Sequence, residues 1–179
     1  VRGRPAKLLV VAAGTLIVAA VVAGVLIARD SGPARTIADS VPESSRVTLR
    51  GKDPITGNTV SLARYDGEPV VINIWASWCP GCYREAADLA RFAAAHPEVG
   101  VVGVNLQDSS SGARKFYRRY GWKFPSIADP NGKIAAALRL QGMPTTVFLD
   151  ARHREVTRII GETDLAGFTD GLERATGRR

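Results

Sequence analysis

Cysteine and histidine are the scarce chemistry-bearing residues of this chain, two of each among 179. Two cysteines, Cys79 and Cys82, exclude a multi-disulfide scaffold and a self-contained four-cysteine zinc site. The two histidines, His96 and His153, stand singly near turns with no neighbour at metal-ligand spacing, and both read as solvated. The chain has no Gly-rich phosphate loop, no catalytic Ser motif and no internal repeat. Neither a metal nor a cofactor is implied. Its length leaves room for one domain plus an appendage. With 45% hydrophobic and 23% charged residues it is neither collagen-like nor too polar to build a core.

Charge is missing altogether from residues 8–27, which consist of Leu, Val, Ala, Ile, Gly and one Thr. At 1.5 Å per residue a helix of that length spans roughly 30 Å, the hydrocarbon thickness of a bilayer. A cleaved secretory signal has an apolar region of about 7 to 15 residues followed by an A-x-A-like site. Here the run is longer, and the nearest small-x-small triplet, Gly32 to Ala34, contains Pro33. Residues 8–27 therefore read as a retained transmembrane anchor. Arg2, Arg4 and Lys7 precede it, whereas Arg29 and Arg35 follow mixed with Asp30 and Asp39. That bias predicts residues 1–7 as a cytoplasmic tail and everything beyond the span as extracytoplasmic. Residues 28–45, rich in Ser, Pro, Ala and mixed charge, read as a linker. The domain is placed at 46–179, where 19 Lys and Arg stand against 14 Asp and Glu.

Within that domain the pattern alternates strand and helix. Residues 47–50 and 59–62 flank a turn-rich segment and predict a hairpin. Residues 69–75 form a nearly continuous apolar run rich in β-branched residues, as expected of a strand buried on both faces. A helix follows from Pro80, with Ala86, Leu89, Ala90 and Ala93 at helical spacing before His96-Pro97 stops it. Residues 99–106 predict a second buried strand, 111–120 and 133–140 helices, 145–149 and 155–160 a strand pair, and 164–175 a last helix. The alternation argues for an α/β sandwich with helices over central strands and a hairpin at one edge.

The chemistry sits where the first central strand meets the first helix, at Trp78-Cys79-Pro80-Gly81-Cys82. Cysteines three apart at a helix start share one face of the first turn and can close and open a small disulfide ring. The thiolate is the nucleophile, and the helix N-terminus stabilises it, so Cys79 is expected to attack and the more enclosed Cys82 to resolve. A C-x-x-C pair alone also serves as a zinc half-site or occurs incidentally.

The run Asn73-Ile74-Trp75-Ala76-Ser77-Trp78-Cys79-Pro80-Gly81-Cys82, together with Met143-Pro144-Thr145, resembles the thioredoxin superfamily. The resemblance is closest to its membrane-anchored bacterial TlpA-like, ResA-like and CcmG-like (DsbE-like) branch and covers about residues 45–175. It implies a thioredoxin-like fold with a central mixed sheet, and a cis bond before Pro144 facing the cysteines. Proline is the residue for which that isomer is accessible. It further implies that Met143, Pro144 and Thr145 seat an extended substrate and that Trp78 lies beside the reactive sulfur. Thioredoxins proper carry a buried acid where this chain has Asn73, which cannot titrate. The TlpA-like branch instead has an acid in the helix, matched here by Glu85, to which a proton-transfer role is assigned. As a first-turn carboxylate, Glu85 would also simply complement the helix dipole.

What the resemblance implies in function is a thiol-disulfide oxidoreductase acting on thiol- or disulfide-containing exported proteins. Its clients would include apocytochrome c, and a membrane redox partner would keep it reduced. An oxidative DsbE-like role and a copper metallochaperone of the same fold are the alternatives. Arg114, Lys115, Arg118 and Arg119 make a basic helix face interleaved with Phe116, Tyr117 and Tyr120. An extracytoplasmic domain seldom meets nucleic acid, so the face reads as solvated or as a patch for acidic lipid or a partner. The aromatic residues are expected to pack inward.

Overall fold

A computed structural model describes residues 45–178. The expected tail, anchor and all but the end of the linker lie outside the described residues. Among the described residues no helix is long and apolar enough to cross a membrane.

A small antiparallel pair comes first, β1 (Arg50–Lys52) and β2 (Thr59–Ser61), with Arg50 opposite Ser61. Its turn is closed by the Asp53 carboxylate, which accepts the N–H groups of Ile55 (2.6 Å) and Thr56 (3.0 Å). The first strand starts later than the expected 47–50. The segment before it is tied elsewhere: Val47 N–H donates to the carbonyl of His153 (2.8 Å), and the Leu49 carbonyl accepts from Leu62 N–H (3.0 Å).

The main elements follow as β3 (Val70–Trp75), α1 (Pro80–Ala95), β4 (Gly100–Leu106), α2 (Ser110–Tyr120), β5 (Ser126–Asp129), α3 (Lys133–Ala137), β6 (Thr145–Leu149), β7 (Glu155–Ile160) and α4 (Leu165–Thr176). The five-stranded sheet has the order β5-β4-β3-β6-β7. β3 pairs parallel with β4 and antiparallel with β6, so the sheet is mixed. All six residues of β3 are buried, as its unbroken apolar run demands.

Side chains alternate across β3. Val71 and Trp75 join an apolar layer with Leu89 and Phe92 of α1, Phe116 of α2 and Phe168 of α4. Val70, Ile72 and Ile74 join the opposite layer with Leu62 and, around α3, Ala135 and Leu138. Asn73, two residues from Val71 and Trp75, therefore faces α1 from the middle of the sheet. Trp75 anchors α2: its ring lies 4.7 Å from Phe116 and 5.0 Å from Trp122, and its Nε1–H donates to Ser126 Oγ (3.0 Å). Trp122 Nε1–H closes α1 against this cluster by donating to the Ala86 carbonyl (2.8 Å).

One strand has no counterpart in the sequence expectations, and two expectations are corrected. β5 is a strand that its Ser-Ile-Ala-Asp sequence does not announce; Ser126 and Asp129 are buried polar residues. The helix expected over 133–140 ends at Ala137, and Arg139 takes a left-handed φ of 53°. His153 is buried rather than solvated, and its Nε2 lies 2.9 Å from the Tyr65 carbonyl.

Gly171 shows how tightly α4 sits. A Cβ there would lie 2.2 Å from Cζ of the fully buried Phe148 ring. Alanine gains helix propensity of roughly 0.5–1 kcal/mol, but overpacking costs about 1–3 kcal/mol. Gly171→Ala is thus expected to lower the urea midpoint with an unchanged slope, a net loss of about 1–2 kcal/mol. An unchanged or raised midpoint would contradict this packing.

Candidate active site

β3 hands the chain directly to the cysteines. Cys79 is the N-cap of α1, Pro80 its first residue, and the Cys79 sulfur accepts the N–H of Cys82 (3.2 Å). Cys79 and Cys82 are joined in a disulfide with Cα atoms 5.3 Å apart. Both are buried, with 2% and 1% of their surface exposed, so exposure does not separate them. Position does: Cys79 is at the cap and Cys82 within the first turn.

The approach to Cys79 is clasped from the end of β4. Asp108 accepts the Ser77 N–H (2.6 Å) and the Ser77 hydroxyl (2.7 Å), and it is held by Asn105 Nδ2 (2.9 Å) and by its neighbour's Ser109 N–H (2.7 Å). Trp78 is 55% exposed, and its Nε1–H donates to the Gln107 carbonyl (3.1 Å). Tyr83, just after Cys82, donates its hydroxyl to the Ser77 carbonyl (2.7 Å).

From the other side comes the loop before β6. The Met143-Pro144 bond is cis. A Cβ on Gly81 would lie 2.8 Å from Pro144 Cδ, so the proline ring abuts the residue between the two cysteines. Only glycine permits that approach. Thr145 pins the loop through its hydroxyl to the Gly142 carbonyl (2.7 Å), while the Pro144 carbonyl accepts from Gly161 N–H (2.8 Å). Arg84 and Glu162 pair beside Gly81, with Arg84 Nε 2.7 Å from Glu162 Oε1. Hydrogen bonding to Arg84 holds Glu162 below the usual carboxylate range.

Glu85 follows Cys82 by three residues, on the same face of α1. It is 1% exposed, accepting Asn73 Nδ2 on one oxygen (2.8 Å) and Thr163 N–H on the other (3.1 Å). Desolvation pushes its pKa up to about 7, the two hydrogen bonds opposing it and the charge of Glu162 reinforcing it. Asn73 also donates to Thr146 Oγ1 (3.0 Å), whereas its own Oδ1 is buried without a hydrogen-bond partner. The reading of Glu85 as a first-turn carboxylate complementing the helix dipole is corrected: it is the sixth residue of α1, beyond the first turn, and buried.

The residues singled out from the sequence thus converge: Trp78, Cys79, Cys82 and Glu85 along one strand-to-helix passage, and Pro144, between Met143 and Thr145, across from Gly81. Asp108, Arg84, Glu162 and Thr163 were missed. For Asp108 a signal existed, since it lies two residues past a buried strand parallel to the one that leads to the cysteines, and site residues gather at such carboxyl ends. Among the described residues no three His, Cys, Asp or Glu side chains are grouped to hold a metal ion.

Comparison with known proteins identifies the family. Residues 37–171 match the model of the Redoxin family. The thiol:disulfide interchange protein DsbE of Allochromatium vinosum is 35% identical, over 69% of this chain and 68% of that protein. The thiol-disulfide oxidoreductase ResA of Halalkalibacterium halodurans is 27% identical, over 60% of this chain and 61% of its own. Among solved structures, a DsbF homologue from Corynebacterium diphtheriae superposes with a TM-score of 0.68 at 34% identity, covering 73% of this chain and 87% of that one. With three quarters of its length in that match and its paired cysteines at the head of α1, the chain belongs to the Redoxin family and is a thiol-disulfide oxidoreductase.

Proposed function

We propose that the chain is a single-pass membrane enzyme, anchored by residues 8–27, whose domain at 46–179 exchanges disulfides with cysteines of exported proteins outside the cytoplasm. The observation that carries the reading is the Cys79–Cys82 disulfide at the head of α1 with Pro144 packed against the glycine between its cysteines. The DsbE and ResA relatives support it.

In this mechanism a client thiolate attacks Sγ of Cys79. The Cys79–Cys82 bond breaks, a client–Cys79 disulfide forms, and Cys82 leaves as a thiolate. Glu85, neutral below about pH 7, supplies the proton that this thiolate takes up. A second client thiolate then attacks its own sulfur in the mixed disulfide and releases Cys79. The client is oxidised and the enzyme reduced by one electron pair. Run backwards, the same steps reduce a client disulfide: Cys79 attacks, and Cys82, its proton taken by Glu85, resolves. In that direction apocytochrome c is the client implied by the CcmG-like resemblance, and a membrane redox partner supplies electrons. Met143, Pro144 and Thr145 seat the client backbone, and Trp78 flanks the attacked sulfur.

Cys82→Ser removes the resolving sulfur, so exported cysteine proteins are expected to accumulate as mixed disulfides on Cys79, visible on non-reducing gels and identifiable by mass spectrometry. The Cys79→Ser/Cys82→Ser pair should trap none. If the single variant also traps nothing, the exchange reading is wrong.

Glu85→Gln is predicted to change two pH profiles. Opening of the disulfide by dithiothreitol, corrected for the thiolate fraction of the reagent, should fall across pH 7 in the native protein. In the variant it should be flat and about a hundredfold slower at pH 6. Stability follows from linkage: the folded pKa of about 7 lies above the ordinary 4.5, so the folded state holds the proton more tightly. That contribution is complete below the ordinary value and is lost as pH rises through 7. It amounts to at most about 3 kcal/mol in the oxidised protein. Urea titrations from pH 4 to 8 should show this decline, and Glu85→Gln should remove it; a variant that keeps the decline would assign the titration to another group.

Protease added to spheroplasts is expected to digest the catalytic domain. Full protection would place the domain in the cytoplasm and defeat the orientation.

A further inference from the structure

We infer that the α2 face beside the reactive sulfurs, formed by Lys115 and Arg119 with the rings of Tyr83 and Tyr120, docks an acidic stretch of the client next to its reacting cysteine. This rests on the exchange reading above and adds which clients the site selects.

Charge is the first ground. Between Ser110 and Tyr120 the helix carries Arg114, Lys115, Arg118 and Arg119 and no acid. Among the described residues none of the four has a carboxylate partner, although all are exposed. Two acids of the neighbouring elements are paired with arginines, and one is held by neutral donors only. Glu162 pairs with Arg84 and Asp88 with Arg91, while Asp108 is taken up by Ser77, Asn105 and Ser109. Against the four cations of α2 only the charge of Asp108 is left without a cationic partner among these acids, so the balance is positive.

Position is the second. A Cβ on Gly112 would lie 2.3 Å from Ser77 Oγ, so the start of α2 touches the segment leading into Cys79. Lys115 and Arg119 follow Gly112 by three and seven residues, which puts them on the same helix face. The far end of this stripe returns to the site through the rings. The Arg119 guanidinium lies 5.7 Å from the Tyr83 centroid and 5.6 Å from that of Tyr120, and the Tyr83 hydroxyl is bonded to the Ser77 carbonyl. A guanidinium lying against aromatic faces is oriented in advance, so binding a carboxylate costs less side-chain freedom.

Exposure is the third. Trp78 and Tyr83, which bracket the cysteine pair, are 55% and 37% exposed. Exposed Trp and Tyr beside Arg are the residue types that anchor polypeptide interfaces. An anionic bilayer would also suit the cations, but the helix that carries them touches, at Gly112, the Ser77 that lies two residues before Cys79. A lipid surface seated there would cover the sulfurs that the client must reach.

The test uses the full chain in neutral detergent and three reduced peptides, each with one cysteine flanked by acidic, neutral or basic residues. Each peptide thiolate attacks Cys79 Sγ and expels Cys82. Its rate is divided by its own rate with bis(2-hydroxyethyl) disulfide, which removes differences in thiol reactivity. The acidic peptide should then exceed the basic one by about tenfold at low ionic strength. In about 0.5 M salt, where screening acts over a few ångströms, the ratio should approach one. Lys115→Glu/Arg119→Glu should invert the preference. If dithiothreitol also fails to open the disulfide, the exchange reading itself has failed. If dithiothreitol opens it and the three peptides react alike, only this inference is overturned. Equal peptide rates together with adsorption to phosphatidylglycerol vesicles that depends on Lys115 and Arg119 would assign the face to lipid instead.

Discussion

Burial of β3 on both faces is the constraint from which the rest follows. A strand with six buried residues must be flanked by partners and covered on both sides. β4 and β6 supply the partners, one parallel and one antiparallel. The parallel neighbour requires a crossover, and α1 is that crossover. The chain leaving β3 therefore turns into a helix N-terminus at the carboxyl edge of the sheet, where Cys79 caps the helix. On the antiparallel side β6 runs the opposite way, so its entrance, Met143-Pro144, arrives at this same edge. The two halves of the site meet because the strand between them has nowhere else to go.

Into that apolar setting the fold introduces a polar pair. Asn73 and Glu85 are both buried, and Asn73 Oδ1 has no hydrogen-bond partner. Burying such groups is unfavourable by kilocalories unless they are paired. A hydrophobic pair would satisfy packing better. What the polar pair supplies is a carboxyl group that changes protonation near neutrality. Desolvation pushes the Glu85 pKa up and the donors Asn73 Nδ2 and Thr163 N–H pull it down, leaving it at about 7. Asn73 thus does from β3 what an acid there cannot do alongside Glu85, since a second buried carboxylate would raise the first still further.

How far the sequence discloses this differs by element and for physical reasons. β3, α1, β4 and the cysteine pair are legible because burial on both faces leaves an apolar run and Pro80 marks a helix start. The Cys79, Cys82 and Pro144 constellation needed the resemblance, because 62 residues separate Cys82 from Pro144 and no local pattern links them. β5 is hidden because its buried polar residues are satisfied from a distance: Ser126 by Trp75 and Tyr117, and Asp129 by the N–H of Ala135. A period-two hydrophobic test cannot register such partners. His153 is hidden for the same reason, its ring being paired with a carbonyl 88 residues away. Glu85 shows the opposite difficulty. Its place early in α1 suits a surface carboxylate equally well, and only the packing of β3 beneath it and of the Thr163 loop beside it makes it an interior acid.

A site that alternates between a bond and two thiols also needs surroundings that do not follow the change. Asp108 fixes Ser77 by two hydrogen bonds ahead of Cys79, and Pro144 bears on Gly81 between the cysteines. The Tyr83 hydroxyl ties the residue after Cys82 back to the Ser77 carbonyl. None of these contacts involves a sulfur atom, so none is broken when the disulfide opens. The helix N-terminus acting on Cys79 is then a local influence on the balance between bond and thiols that does not depend on these contacts. Trp78 and Tyr83 are tied to the same frame, the indole through Gln107 and the phenol through Ser77, so the exposed rings that flank the cysteines are held by partners other than the sulfurs.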